Sequence, residues 1–513
     1  MAIPFLKFTP LLPLHHPLRP LHPSPSLFPF PPKPHLLLRK PNHVHRFKAN
    51  TKDNSSLTSL LSDLQDDPIK ADVEAAEEVK TRFSPPSLQD NLPSRWLEIH
   101  GSENWSGLLD PIDPLLRSEL IRYGNFTQAT YDAFDSDPFS RYCGTSKYPR
   151  RRFLSSLGMD SCGYEVTRFL YATSNIKLPN FFIRSHQDKT WSEKGNWIGY
   201  VAVSSDATTA LLGRRDIIVA WRGTITKLEW IADLMDFLRP VSSVGIPCPD
   251  PDVKVESGFV DLYTDKDTSC PFCKYSAREQ VLAEVTKLID HYAVNNGEEV
   301  SISVTGHSLG SALAMLSAYD LVESKVNRGK TVCVFSFAGP RVGNRKFKKR
   351  FDGLGLKALR VVNIHDKVPK VPGFFINEAV PKFVQKLADG LPWSYTHVGV
   401  ELELDHNNSP FLKETLDISC YHNLEAHLHL LDGYHGKGHK FELATGRDPA
   451  LVNKSADFLE NRLMIPPYWR QDLNKGMVKT EDDRWAQPER LKIDEHPPDT
   501  HHHLTKLGFN LDK

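Results

Sequence analysis

Val300-Ser301-Ile302-Ser303-Val304-Thr305-Gly306-His307-Ser308-Leu309-Gly310 decides how this chain is read. A β-branched run favours a strand. It leads into a Gly-x-Ser-x-Gly turn, and Ser311-Ala312-Leu313-Ala314 then opens a helix of small residues. This is the layout of a nucleophile elbow, where a serine on a sharp strand-to-helix turn presents its hydroxyl. Glycines on both sides let the backbone turn without side-chain clashes. The N–H groups at the start of the helix point to where an oxyanion would form. The plainer alternative is a buried, glycine-rich turn that only packs.

A serine nucleophile needs a base and an orienting acid, and in this fold class the chain order is Ser, Asp or Glu, then His. Downstream, Leu359-Arg360-Val361-Val362-Asn363 reads as an apolar strand, and Asp366 sits in the loop just past it. Open α/β sheets place their sites on such loops, and Pro369 and Pro372 stiffen this one. Asp366 is the expected acid, against the ordinary fate of a solvated loop aspartate. The base is harder to choose among 22 histidines. The cluster after Asp366 holds His422, His427 and His429. His422 opens an expected helix, whereas His427 and His429 lie inside it on different faces. No H-E-x-x-H zinc motif is present. Position favours a histidine at the start of the element but does not settle the choice.

Three segments together resemble the plant class 3 lipases, and most closely their plastid phospholipase A1 branch. They are Ala220-Trp221-Arg222-Gly223-Thr224, Thr305 to Gly310, and Val361 to Pro369 followed by His422-Asn423-Leu424-Glu425. The resemblance runs from about Trp105 to Trp469. It implies an α/β-hydrolase fold and sn-1 acyl hydrolysis of membrane glycerolipids (phosphatidylcholine, galactolipids or triacylglycerol). It carries over His422 as the base, with His429 as runner-up. It also implies that Thr224 marks the oxyanion hole, with the N–H of Leu309 as the second donor. One departure is visible: the family's Gly-Gly after Ser-Leu is Gly310-Ser311 here. Ser311 either crowds the helix–strand contact or only adds a hydroxyl. On this reading Ser308 attacks an ester, His422 moves the proton and Asp366 orients the imidazole, with no metal or organic cofactor required.

After the oxyanion segment, Leu228, Ile231, Leu234, Met235 and Leu238 fall at helical spacing with acidic residues opposite. This 225–250 segment is either a lid over an acyl groove or an ordinary surface helix.

Residues 1–50 contain seven Lys or Arg, six His, twelve Pro and no acid; the first acid is Asp53. A basic, acid-free start suits an organellar transit peptide, and its prolines disfavour both a secretory signal and a mitochondrial amphipathic helix. With the resemblance, the expected address is the chloroplast, and the competing reading is a Pro-rich tail with no address. Without those seven residues, 56 basic residues face 63 acidic ones, a balance of −7 hidden by the whole-chain zero. No basic patch with interleaved aromatics favours nucleic acid. No run of about 18 apolar residues occurs, so membrane contact is expected to be peripheral.

The expected organisation is a transit peptide at 1–50, an acidic disordered linker at 51–90 with a short helix around Val73–Thr81, an α/β-hydrolase domain at 91–475 and a loose polar tail at 476–513. Strands are expected at Trp197–Val203, Ile217–Trp221, Val300–Thr305, Val332–Phe337 and Leu359–Ile364. Helical patterning runs through Leu115–Phe134 and through Val281 to Tyr292, stopping near Gly297. Such alternation implies a mostly parallel sheet with helices on both faces. Seven scattered cysteines suit reduced thiols, and Cys270-Pro-Phe-Cys273 lacks a thioredoxin-like context. His501-His502-His503 reads as an incidental tail run. Two classes of function stay open beside the lipid acylhydrolase: a lipase-like interaction module with little turnover, and a soluble carboxylesterase.

Overall fold

The computed structural model describes residues 91–140, 142–174, 182–183, 194–225, 237–372, 394–470, 478–479 and 485–486. The leader, the linker with its expected helix and most of the tail lie outside the described residues.

The strands are β1 (Tyr164–Thr173), β2 (Gly195–Ser204), β3 (Arg215–Trp221), β4 (Leu238–Pro240), β5 (Lys254–Glu256), β6 (Val300–His307), β7 (Thr331–Phe337), β8 (Lys357–Asn363) and β9 (Val400–Leu404). Seven of them form one sheet in the order β1-β2-β3-β6-β7-β8-β9. β1, β2 and β3 pair antiparallel, and every pairing from β3 to β9 is parallel. β4 and β5 make a separate short antiparallel pair. The five expected strands are all in the sheet, with ends shifted by at most two residues. β1 and β9 were not anticipated. β1 carries the buried Arg168 and β9 is a short Val-Glu-Leu-Glu-Leu edge strand, so neither reads as a continuous apolar run.

The helices are α1 (Leu92–Ile99), α2 (Pro114–Asp132), α3 (Phe153–Ser156), α4 (Asp206–Leu212), α5 (Ser257–Thr264), α6 (Ala277–Ile289), α7 (Leu309–Glu323), α8 (Arg345–Gly353), α9 (Ile418–Tyr421) and α10 (Leu424–Gly433). Local chemistry starts them. The Asp113 carboxylate accepts the Leu115 N–H at 2.8 Å ahead of Pro114 at the first turn of α2. Ser276 and Glu279 form a capping box on α6.

The period of two along β6 sorts its side chains between two layers. Val300, Ile302 and Val304 join an apolar core with residues of α5, α6, α7 and α8. On the opposite face, Ser303 and Ser301 donate to the buried Asp216 at 2.7 and 2.8 Å, and Thr305 lies 2.8 Å from Thr127 of α2. A second core there gathers α1, α2 and α10. A mostly parallel sheet covered by helices on both faces is the α/β-hydrolase architecture, and it leaves the C-terminal ends of β3, β6 and β8 close together.

Residues 226–236 lie outside the described residues, and with them nearly all of the expected amphipathic run. Its last member is a correction. Leu238 does not continue a helix; it opens β4 opposite Glu256. Pro240, two residues on, has no N–H to give a helix. All seven cysteines are free thiols.

Candidate active site

Ser308 sits between β6 and α7 with φ 59° and ψ −130°. A non-glycine residue rarely occupies that region, and it persists only where its surroundings over-determine it. They do so here. A Cβ on Gly306 would lie 2.2 Å from the Gly310 carbonyl oxygen, and one on Gly310 would lie 2.5 Å from that of Trp221. Only glycine fits at both positions. The Ser308 N–H donates to the Phe337 carbonyl at 3.0 Å, and the Ser311 N–H donates back to Ser308 at 3.0 Å. Ser308 is 1% exposed. Ser311, the departure from the resembled family, does not crowd the turn. Its hydroxyl donates a shared hydrogen bond to the carbonyls of Gly306 at 2.6 Å and Phe337 at 3.0 Å, tying α7 to the ends of β6 and β7.

Asp366 is buried in the loop after β8. Its Oδ1 accepts the Val368 N–H at 2.9 Å, so the loop itself orients the carboxylate. Oδ2 lies 2.7 Å from Nδ1 of His422. His422 does not open a helix, as the sequence led one to expect. It occupies the joint between α9 and α10, because Asn423 caps α10 by accepting the Glu425 N–H. Facing a carboxylate, Nδ1 is the donor, which leaves a lone pair on Nε2. That Nε2 is buried and has no hydrogen-bond partner among the described residues.

Two further histidines, which the sequence reading did not place here, fix this arrangement. Nε2 of His307 lies 2.8 Å from the His422 carbonyl oxygen, and a carbonyl only accepts, so Nε2 carries the proton. Nδ1 of His307 then accepts from the Tyr131 hydroxyl at 2.7 Å. His427 donates from Nδ1 to the Asn423 carbonyl at 2.9 Å and accepts the Asn363 N–H on Nε2 at 3.3 Å. Burial is the main cause that pushes both imidazoles below the usual histidine range, so both are neutral near pH 7. The rings of His307 and His422 are 4.6 Å apart. His307 stands inside the Gly-x-Ser-x-Gly segment, so its place was legible although its role was not. Tyr131 lies 176 residues away and carried no signal.

His429, the runner-up base, faces elsewhere. Its Nε2 is 2.8 Å from the Ser409 hydroxyl, and its ring packs against Phe411 and Phe441. Burial first, then Arg447, pushes its imidazole down to about 4.

β3 delivers the last element. Arg222 is buried and donates to the carbonyls of Trp197 at 3.1 Å and Gly223 at 2.9 Å. A Cβ on Gly223 would meet the Tyr131 hydroxyl at 2.2 Å and Ser308 Cβ at 3.1 Å, so this backbone runs directly against the serine. Thr224 follows. Its Oγ1 is buried without a partner among the described residues. Leu309 is the first residue of α7, where the N–H has no intrahelical acceptor. A strained serine, an imidazole held by a carboxylate with its other nitrogen unpartnered among the described residues, the Leu309 N–H next to the serine and Thr224 just past the backbone that abuts it make an arrangement suited to acyl transfer.

Residues 218–376 match the family described as lipase (class 3). The chain is 61% identical over 440 residues to phospholipase A1-Igamma1, chloroplastic, of Arabidopsis thaliana, covering 84% of this chain and 85% of that protein. It is 43% identical over 419 residues to phospholipase A1-II 6 of Oryza sativa subsp. japonica, covering 79% and 97%. Among solved structures, the LIP2 lipase of Yarrowia lipolytica matches with a TM-score of 0.39 at 19% identity, covering 60% of this chain and 85% of that one.

Proposed function

This chain belongs to the class 3 lipase family, and from that premise we propose that Ser308, His422 and Asp366 are its catalytic triad, with Thr224 and Leu309 lining the oxyanion hole. The chain is a carboxylic ester hydrolase that releases acyl chains from glycerolipids, and it acts in the chloroplast. The finer reading is that it cleaves the sn-1 ester of membrane lipids while touching the bilayer only peripherally. No helix among the described residues is long and apolar enough to cross a membrane.

The mechanism follows from the proton positions. Asp366 accepts Nδ1–H of His422, so Nε2 offers the lone pair that takes the Ser308 proton as Oγ attacks the ester carbonyl. Asp366 then stabilises the imidazolium. The N–H groups of Thr224 and Leu309, with the Thr224 hydroxyl, receive the developing oxyanion, and losing one such donor costs roughly 10²–10³ in turnover. His422 returns the proton to the leaving alcohol, the acyl group stays on Ser308, and water activated by the same imidazole releases it.

The observation that carries this reading is the 2.7 Å contact between Asp366 and His422, with Nε2 left free beside the residue that precedes the serine. The test is positional lipid analysis. The full chain and Ser308→Ala are incubated with phospholipid and galactolipid vesicles of defined acyl composition, and the released acid is identified. Release of the sn-1 chain by the wild type alone supports the proposal. Release by Ser308→Ala, or preferential release of the sn-2 chain, overturns it. Activity on soluble short esters without activity on vesicles would instead mark a carboxylesterase.

A further inference from the structure

We propose that His365, Asp405 and His406 form a binding site for one divalent transition-metal ion of the zinc class, behind the loop that carries Asp366. One donor atom from each of the three side chains lies within 4.8 Å of the others. His365 Nε2 and Asp405 Oδ1 are 3.0 Å apart. Bonds of about 2.0–2.1 Å to tetrahedral zinc set ligand atoms about 3.3 Å from one another. That pair therefore already stands near a coordinating separation, and the third donor has to close by at most about 1.5 Å. The side chains of His365 and Asp405 are 38% and 31% exposed, so water can reach the site. A metal ion would have to displace the Asn407 side-chain amide, now 3.1 Å from His365 Nε2, while the Asn407 N–H to Asp405 Oδ1 at 3.0 Å helps to hold the carboxylate.

The second observation concerns His406. It is 4% exposed, and its Nδ1 is buried with no hydrogen-bond partner among the described residues. A buried imidazole nitrogen without a partner calls for an explanation, and we assign Nδ1 as the ligand atom that His406 brings to the cluster. Its ring is fixed against Tyr421 at 4.6 Å and stands edge-on to His365 at 4.5 Å. Two imidazoles and one carboxylate suit Zn²⁺, Ni²⁺ or Cu²⁺, whereas Ca²⁺ and Mg²⁺ seek oxygen ligands.

The three ligands come from the loop after β8 and the segment after β9. A bound ion would clamp these two segments together. His365 precedes Asp366, and Tyr421 precedes His422, so the clamp would brace the acid and the base from behind. This consequence rests on the proposed triad; the binding itself does not.

The test uses the full chain after chelator treatment, with His501, His502 and His503 replaced by alanine in every sample to remove the tail run. Co²⁺ is titrated and its visible absorption followed, then Zn²⁺ is added. One Co²⁺ per chain, bleached by Zn²⁺, is expected, together with a rise in unfolding temperature on Zn²⁺ addition. His365→Ala and Asp405→Asn, checked for fold by circular dichroism, should each weaken binding more than roughly 100-fold, since even outer-shell partners of a metal are worth 10–100-fold. Both should also abolish the temperature shift. Binding that is unchanged in both variants, or absent from the parent, overturns the proposal and leaves His365 and Asp405 a simple hydrogen-bonded pair.

Discussion

Asp366→Asn isolates the electrostatic role of the acid, because the side chain keeps its shape and loses its charge. The structure fixes which way the new amide must turn. Oδ1 accepts the Val368 N–H at 2.9 Å, so placing the NH₂ there would set two donors against each other. The NH₂ must therefore face Nδ1 of His422, where Oδ2 now stands at 2.7 Å. Nδ1 then becomes the acceptor, the proton moves to Nε2, and the imidazole can no longer take the proton of Ser308. A wrong tautomer of this kind lowers kcat by about 10⁴, or about 5.5 kcal/mol in the barrier. Binding contacts are untouched, so KM should change little. Steady-state rates on a short soluble ester and on phospholipid vesicles should fall together, with circular dichroism showing an intact fold. A folded Asp366→Asn protein within tenfold of wild type near neutral pH would refute the assignment of Asp366 as the orienting acid.

Thr224→Val should leave unfolding stability unchanged, because Oγ1 has no partner among the described residues. It should lower kcat by roughly 10² if the hydroxyl meets the oxyanion; equal rates would place the hydroxyl outside the hole. Ser311→Gly restores the residue usual in the family and removes the bond to Gly306 and Phe337. Urea unfolding should show a loss of about 1–2 kcal/mol with kcat nearly unchanged, and a large loss of rate would mean that Ser311 shapes the elbow itself. Asp216→Asn probes the buried network under β3. Burial works against the charged carboxylate, yet Arg214 and Arg122 beside it hold it below its usual range. Its contribution is thus fully present above the unfolded value near 4 and is lost as pH falls through the depressed folded value. Denaturation near pH 7 should show a deficit of about 3–5 kcal/mol for the variant, shrinking below about pH 4. A deficit independent of pH would mean that packing and not charge is at stake.

What was legible from the sequence follows from range. The strand–turn–helix at Val300 to Ala314 is a local pattern, with period two before the turn and glycines only where the turn demands them. The other expected strands were legible from composition: β2, β3, β7 and β8 each hold a short, mostly apolar and buried stretch, with charge confined to the first two residues of β3 and to Lys357 and Arg360 in β8. β1 was missed because Arg168 and Glu165 interrupt its run, and β9 because two of its five residues are glutamates on an edge. The proposed acid, Asp366, could be picked out because a strand ends just before it. The base was not settled by pattern. His422 and His429 differ in what surrounds them, one meeting Asp366 across 56 residues and the other packed between Phe411 and Phe441. Long-range contact of that kind leaves no trace in local spacing, so the choice of His422 over His429 came from family resemblance and not from periodicity.

The same reasoning explains why the elbow is more than a strained turn. Ser308 is held in an unfavourable backbone region, and strain of this kind, of order 1–3 kcal/mol, must be opposed by its neighbours. His307 is the neighbour best placed to do so. Its backbone belongs to β6, its Nδ1 is saturated by Tyr131 from α2, and its Nε2–H reaches the carbonyl of His422. One neutral imidazole thus joins the strand that carries Ser308 to the joint that carries the proposed base, His422. His427 does the corresponding work from the other side, linking Asn363 at the end of β8 to Asn423 at the cap of α10. Were either ring protonated, it would have to give up an acceptor role, to Tyr131 in one case and to Asn363 in the other. Burial keeps both neutral. Of the three imidazoles, only that of His422 is hydrogen-bonded to Asp366, at 2.7 Å, whereas Nε2 of His427 stands 4.0 Å from the same carboxylate and takes the Asn363 N–H instead. The spacing of the proposed catalytic groups then rests on backbone and ring contacts that the proposed reaction does not disturb.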